Sequence, residues 1–220
     1  MIEYNRVELG KAAKERGFVR DTFEKVLRLK EILRYFNEDK YLKEHLVLKG
    51  GTAINMTIFN LPRLSVDIDM DFTPNYSKAD TEVNRKEITE RLQRYMQEEG
   101  YHLSESSRYS HSLDSFLFQY QNAGGNRDNI KVEINYSLRS HIFAPVERKI
   151  VTDAFDDSME IRTLEPMEMF AAKVNALMSR AAARDLYDMD YMIRREYLIR
   201  LLLQMKKVHY LLCFYFRRDN

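Results

Sequence analysis

The sequence predicts an α+β fold, in which a mixed β-sheet lobe with flanking helices is followed by a C-terminal helical lobe. Three observations predict this order. Apolar residues follow helical spacing in the first forty residues, alternate with polar residues in much of the middle of the chain, and return to helical spacing after Pro166. We therefore expect a helical lead-in at 1–44, an α/β core at 45–165 and a helical lobe at 166–220.

The composition is typical of a globular protein and excludes several classes. Hydrophobic residues make up 45% of the 220 residues and charged residues 31%. The formal net charge is +1, so overall charge gives no argument for nucleic acid or membrane binding. The single cysteine, Cys213, excludes an intramolecular disulfide and fits a reducing compartment. No apolar run approaches the roughly 20 residues of a membrane span, so we expect a cytoplasmic protein with no membrane partner.

The first part of the chain should contain two helices and two strands in alternation. The apolar residues between Phe23 and Phe36 follow helical spacing, and Asp21 is a suitable N-cap. A short apolar run at 46–48 indicates a strand that stops at a glycine pair. We then expect a helix at 52–60 and a strand at 64–72.

The remaining elements follow from the same two periodicities. We expect a helix at 81–99 and strands at 101–108, 113–121 and 130–136, the last two joined by a hairpin turn at 122–129. Two edge strands are expected at 146–151 and 160–162. Helices are expected at 166–179, 184–195 and 196–216, and the first of these should bury a stripe that ends at Met178.

The segment SVDIDMDF carries three acidic residues on one face of the expected strand. Asp67, Asp69 and Asp71 alternate with apolar residues, so they point to the same side. Like charges this close are unfavourable unless a cation lies among them, and Mg²⁺ takes oxygen ligands of this kind. The alternative is a solvated edge strand with an acidic face.

Several neighbouring features favour a site for phosphate chemistry. A strand followed by Gly50-Gly51 and a helix presents free backbone N–H groups to an anion. The edges of this turn supply two hydroxyls and two cations, from Thr52, Ser65, Lys49 and Arg63. Glu133, on the polar face of another strand, is a candidate third carboxylate. Together these parts fit phosphoryl or nucleotidyl transfer, in which two metal ions are held about 3.5–4 Å apart.

The motifs LVLKGGTAI, RLSVDIDMDF, VEINYS and KVNALMSRAAARDLYDMDYM occur in this order between about Leu46 and Met192. They resemble the successive motifs of the AbiEii/AbiGii nucleotidyltransferase family, within the DNA polymerase β-like nucleotidyltransferase superfamily. Members of that family are toxin components of bacterial toxin–antitoxin and abortive-infection systems. The segment after Met192 matches no pattern of the family, and Thr52 replaces the usual serine of the superfamily turn.

The resemblance implies roles for individual residues. Metal ions, Mg²⁺ or Mn²⁺, would be bound by Asp67, Asp69 and Glu133. The NTP would be bound at the glycine turn and its flanks, by Lys49, Gly50, Gly51, Thr52, Arg63 and Ser65. The C-terminal motifs would add Lys173 and Asp185 to the catalytic set. Asp71 is expected to be a bystander.

Alternatives remain open for the C-terminal residues. Lys173 is either a phosphate-binding lysine or a snorkelling lysine with an exposed ammonium group. Asp185 and Asp188, three residues apart, either serve the site or form structural salt bridges. The aromatic residues Phe116 and Phe118 are expected to pack in the core rather than stack on bases.

The expected activity is transfer of a nucleotidyl group from an NTP to a macromolecular acceptor. The acceptor would be RNA, with the tRNA 3′ end as the first choice, or a protein hydroxyl, and a cognate antitoxin is the expected partner. Two alternatives are a small-molecule nucleotidyltransferase of the antibiotic-modifying type and a catalytically silent binding module on the same fold.

Overall fold

The computed structural model describes residues 4–60, 65–151, 159–180 and 182–195. It divides the chain into two compact units, Met1–Glu165 and Pro166–Asn220. The helices of the first unit are α1 (Arg6–Glu15), α2 (Arg20–Glu38), α3 (Lys40–His45), α4 (Gly50–Thr57) and α5 (Lys78–Glu98). The described helices of the second unit are α6 (Pro166–Arg180) and α7 (Ala183–Arg194). The expected helix at 196–216 lies outside the described residues. None of the described helices is long and apolar enough to cross a membrane.

All described strands belong to one mixed sheet in the first unit. They are β1 (Leu46–Lys49), β2 (Asp67–Phe72), β3 (His102–Leu103), β4 (Arg108–Tyr109), β5 (Leu113–Gln121), β6 (Arg127–Asn135), β7 (Val146–Lys149) and β8 (Glu160–Thr163). The order is β3-β5-β6-β2-β1-β8-β7, and β4 also pairs with β5. The central pair β2–β6 is parallel, whereas β1–β2 and β5–β6 are antiparallel. The predicted α+β class with a mixed sheet is therefore confirmed.

Helices α2 and α5 cover one face of the sheet. The rings of Tyr35 on α2 and Tyr95 on α5 stack at 3.9 Å. Both helices contact even-numbered residues of β5, since Arg28 of α2 lies 4.4 Å over the Tyr120 ring and Arg85 of α5 forms an ion pair with Asp114. The even-numbered side chains between these contacts are buried, as expected for core packing; they include Phe116, Phe118, Ile130, Val132 and Ile134. The odd-numbered side chains of β5 and β6 consequently lie on the opposite face.

Several predicted boundaries differ from the structure. Asp21 is not an N-cap, because α2 begins at Arg20 and its N-cap is Val19. Strand β8 is not an edge strand, because it lies between β1 and β7, and β7 forms the edge on that side of the sheet. The expected strand at 101–108 is reduced to two residues of β3 and the start of β4. In the stripe predicted for α6, Phe170 is buried but Met178 is 81% exposed, so the prediction is wrong at the C-terminal end of the helix.

Candidate active site

The three acids of β2 lie on one side of the sheet but have different surroundings. Ile68, Met70 and Phe72 are buried, which confirms the predicted alternation. Asp67 and Asp69 are half-buried. Asp71 is only 2% exposed and forms an ion pair with Lys49 of β1. The cation at position 49 is therefore bound to the innermost acid of the strand.

A row of polar side chains crosses four strands at the level of Asp69. Lys49 of β1 pairs in register with Asp69 of β2, Asp69 with Glu133 of β6, and Glu133 with Ser115 of β5. Neighbouring strands are about 4.8 Å apart, and residues in register point to the same face. The sheet thus brings together Asp69 and Glu133, which are 64 residues apart in sequence.

The electrostatics of Asp69 show that negative charge is incompletely compensated here. Burial, together with the neighbouring carboxylates of Glu133 and Asp67, raises the pKa of Asp69 to about 6. Lys49 and Lys131 oppose this shift but do not cancel it. Like-charge repulsion and desolvation both favour the neutral acid. A cation bound beside Asp69 would oppose both effects and favour the ionised carboxylate.

Glu133 has more partners than Asp69. Its Oε1 accepts a hydrogen bond from Ser115 Oγ at 3.0 Å and lies 2.6 Å from Lys131 Nζ. Burial alone would raise the pKa of Glu133, but its hydrogen bonds with Lys131, Ser115 and Asp69 hold the pKa below its ordinary value. Glu133 is therefore ionised at neutral pH, with Lys131 as its counter-ion. Sequence reasoning missed Lys131, although its position two residues before Glu133 places both on one strand face. It also missed Ser115, which only the strand register reveals.

The glycine pair forms the first turn of α4, two residues earlier than the predicted helix start. Gly50 has a φ of 73°, a conformation that side chains disfavour. A Cβ atom at this position would lie 2.5 Å from Asp69 Oδ2. The N-cap residue, Lys49, provides no side-chain hydrogen bond to the helix start. The first N–H groups of a helix have no partners within the helix, so an uncapped helix N-terminus lies directly beside Asp69.

The hydroxyl of Thr52 has a structural role in this arrangement. Thr52 is fully buried, and its Oγ1 donates a hydrogen bond to the backbone carbonyl of Asp67. Ser65 Oγ lies 3.0 Å from the same hydroxyl. Thr52 therefore connects the first turns of α4 to the start of β2, which positions the acids relative to the helix. Arg63 lies outside the described residues.

The donor set fits a hard divalent cation. In the part of the chain that the structure describes, no three His, Cys, Asp or Glu side chains are already arranged as a complete ion-binding group. The candidate ligands are nevertheless the oxygen donors that Mg²⁺ prefers, and the raised pKa of Asp69 indicates that they lack positive charge. The close approach of Gly50 to Asp69 also leaves no room for a side chain at this point.

The second unit holds a separate buried ionic cluster. Lys173 Nζ of α6 lies 3.0 Å from Asp185 Oδ1 and 2.8 Å from Asp188 Oδ2 of α7. Arg180 also binds Asp185, with Nε 2.6 Å from Oδ2. Hydrogen bonding to Arg180, and then to Lys173, holds the pKa of Asp185 far below its usual range, although burial opposes this. Lys173 is 7% exposed, so the snorkelling interpretation is wrong.

Comparison with known proteins gives a family and a fold. The family model described as nucleotidyl transferase AbiEii toxin, type IV toxin–antitoxin system, matches residues 31–214. The match therefore extends beyond Met192, where the motifs were expected to end. No curated protein matches the chain.

Two solved structures share the fold at low sequence identity. MenT4, a nucleotidyltransferase toxin from Mycobacterium tuberculosis H37Rv, aligns with a TM-score of 0.63 and 17% identity over 86% of this chain and 64% of MenT4. JHP933 from Helicobacter pylori aligns with a TM-score of 0.54 and 17% identity, over 79% of this chain and 66% of JHP933. The chain thus spans about two thirds of the length of these proteins.

Proposed function

The chain belongs to the AbiEii nucleotidyltransferase toxin family, and we propose on this basis that it transfers a nucleotidyl group from an NTP to a macromolecular acceptor. The observation that carries the proposal is the position of Asp69, next to both Glu133 in register and the uncapped N-terminus of α4. A group of acids beside an anion-binding helix end is suited to a ligand that combines a metal cation with a polyphosphate. A solvated acidic edge would need neither feature, and β2 is not at the edge.

The helix end supplies the phosphate-binding part of the site. The N–H groups at Gly50 and Gly51 are suited to hold the triphosphate of the NTP, because they point out of the helix and carry its positive dipole. Thr52 and Ser65 keep this turn against β2 through their hydroxyl contacts. We assign Lys49 to balancing the charge of Asp71 rather than to a direct phosphate contact.

The acids supply the metal-binding and acceptor parts. Asp67, Asp69 and Glu133 would hold Mg²⁺ or Mn²⁺, which when bound neutralises phosphate charge and lowers the pKa of the attacking hydroxyl. Glu133 lies on the far side of Asp69 from the helix end. We therefore assign Glu133 to the acceptor side of the site, where its carboxylate would help to hold the metal ion and would accept a hydrogen bond from the acceptor hydroxyl.

Lys173 and Asp185 are proposed to act by organising the second unit. The ammonium group of Lys173 is already neutralised by two buried aspartates, so it has little free charge to offer a phosphate. Its contacts join α6 to α7 and fix the position of Arg180 through Asp185. We assign these residues to positioning rather than to direct contact with the NTP.

RNA is the proposed acceptor, and a cognate antitoxin is the proposed partner. The family description names a toxin–antitoxin system, and such a toxin acts where NTPs and RNA are found, in the cytoplasm. The test is incubation of the purified protein with each of the four labelled NTPs and Mg²⁺, in the presence of total cellular RNA, total protein or an aminoglycoside.

The expected result is metal-dependent labelling of RNA by the wild-type chain, with none by the Asp67→Asn variant. Labelling of protein or of the aminoglycoside would redirect the proposal to those acceptors. Absence of labelling from all four NTPs and all three acceptors would refute nucleotidyl transfer.

A further inference from the structure

A cavity adjoins Glu133 on the face of the sheet that carries the acids. This cavity of about 600 Å³ lies over β4, β5 and the middle of β6, which is within the range of about 300–1,000 Å³ typical of small-ligand sites. The lining residues that matter here are Arg108, Leu113, Ser115, Leu117, Lys131 and Glu133. Of these six residues, only Glu133 belongs to the four sequence motifs. The cavity therefore extends from the candidate active site to residues outside those motifs.

The strand register continues the polar row into this cavity. Glu133 pairs with Ser115 of β5, and Ser115 pairs with Arg108 of β4. Two strand spacings of about 4.8 Å place the backbone of Arg108 about 10 Å from that of Glu133. The row therefore runs from the helix end at Gly50, across the acids, to an exposed arginine on the opposite side.

The chemistry of the lining is suited to a nucleotide. Arg108 and Lys131 are its cations, and Glu133 is the only acidic side chain among its lining residues. Leu113 and Leu117 lie on the same face as Glu133 and are half-buried. The two leucines flank Ser115 on β5, about 13 Å apart along the strand. One apolar side chain that is not fully covered can pack against the flat face of a base, while an arginine at the rim can hold a phosphate through its planar fork.

We propose that this cavity binds the terminal nucleotide of a single-stranded RNA acceptor, with Arg108 contacting its phosphate. The proposal rests on the proposed nucleotidyl transfer and adds where the acceptor lies. A base on one of the two leucines and a phosphate at Arg108 direct the terminal ribose hydroxyl toward Glu133, which pairs with Ser115 between the leucines. The positive charge of Arg108 favours RNA over a protein hydroxyl, because an unmodified serine or threonine side chain brings no phosphate for Arg108 to bind.

The test substitutes Arg108 and separates acceptor binding from donor binding. Arg108→Gln should raise the KM for RNA by about 10- to 150-fold, the range expected for loss of one charge-assisted contact. The KM for the NTP should not change. Arg108→Lys should retain part of the affinity because it keeps the charge but not the fork. The matched control is Arg127→Gln, an exposed arginine at the far end of β6 that does not line this cavity.

A binding measurement without NTP provides an independent readout. Binding of a short single-stranded RNA with a free 3′ hydroxyl should weaken with salt, and Arg108→Gln should reduce the slope of log K against log salt by about 0.7, corresponding to one phosphate. An unchanged KM for RNA and an unchanged slope would overturn the subsite while leaving transfer by the wild type intact. A rise in the KM for the NTP alone would instead place the donor in the cavity and also overturn the proposal. Absence of transfer by the wild type would refute the proposed function itself. The binding measurement would still test the subsite, because it requires no transfer.

Discussion

Replacing Asp69 with asparagine should stabilise the protein at neutral pH while abolishing transfer. The pKa of Asp69 is raised to about 6 by burial and by the carboxylates of Glu133 and Asp67. A shift of about two units corresponds to about 3 kcal/mol, and screening at this half-buried position reduces the expected gain to about 1–3 kcal/mol. Asparagine removes the charge and keeps a side chain of the same shape that can donate to Glu133.

The pH dependence of this effect has a defined sign. The pKa of Asp69 is higher in the folded state than in the unfolded state, so the folded state binds more protons between about pH 4 and pH 6. The contribution of Asp69 to stability is therefore lost as the pH rises through this window. Asp69→Asn should match the wild type near pH 4 and exceed it at pH 7, by about 2–4 °C in Tm for each kcal/mol.

The assay is thermal unfolding from pH 4 to pH 8, with and without Mg²⁺. The same exchange at Asp71 is a matched control of opposite sign, since Asp71→Asn removes the buried partner of Lys49 and should lower Tm at pH 7. Mg²⁺ should raise the Tm of the wild type and have little effect on Asp69→Asn. The reasoning is refuted if Asp69→Asn is less stable than the wild type at pH 7, or if the difference between them does not vary with pH.

Three further substitutions test separate parts of the structure. Gly50→Ala should lower stability by about 1–2 kcal/mol or more, because φ is positive and the new Cβ would meet the Asp69 carboxylate; calorimetry should also show weaker binding of Mg·NTP, and unchanged affinity would contradict the phosphate-binding role of this turn. Glu133→Gln should reduce kcat strongly and leave Mg·NTP binding nearly unchanged, since Glu133 is proposed to serve the metal ion nearer the acceptor rather than the one bound with the NTP; transfer at the wild-type rate would exclude that role. Lys173→Met should destabilise the chain by about 3–5 kcal/mol in urea unfolding, because Asp185 is left buried without one of its cations. A variant as stable as the wild type would show that the Lys173 cluster contributes nothing to folding.

The periodicity of the sequence was sufficient to predict most elements of the sheet and the acids at its centre. The predicted strand at 113–121 has the bounds that the structure shows, because it is rich in aromatic residues, which favour strands. The helix predicted at 52–60 begins two residues too late, because Gly50 and Gly51 have low helix propensity and indicate a turn, whereas in the structure they are the first residues of α4.

Other features depend on contacts between distant residues and could not be read from local patterns. The position of β8 inside the sheet depends on its parallel pairing with β1, which a four-residue strand does not reveal. Met178 and Lys173 lie on one helix, and hydrophobicity alone would bury the first and expose the second. The structure shows the reverse exposure, because two aspartates of α7 provide Lys173 with buried partners.

The distribution of charge around Asp69 supports the proposal that the site binds a metal-bound polyphosphate rather than a simple cation or a simple anion. Lys49 is bound to Asp71 and Lys131 to Glu133, so the two nearby lysines each compensate a neighbour of Asp69. The raised pKa of Asp69 shows that negative charge remains in excess at this point. The uncapped end of α4 beside it carries the opposite partial charge. A cation alone would leave the helix end unsatisfied and an anion alone would be repelled by the acids, whereas a ligand with both charges in contact satisfies the two halves of the site at once.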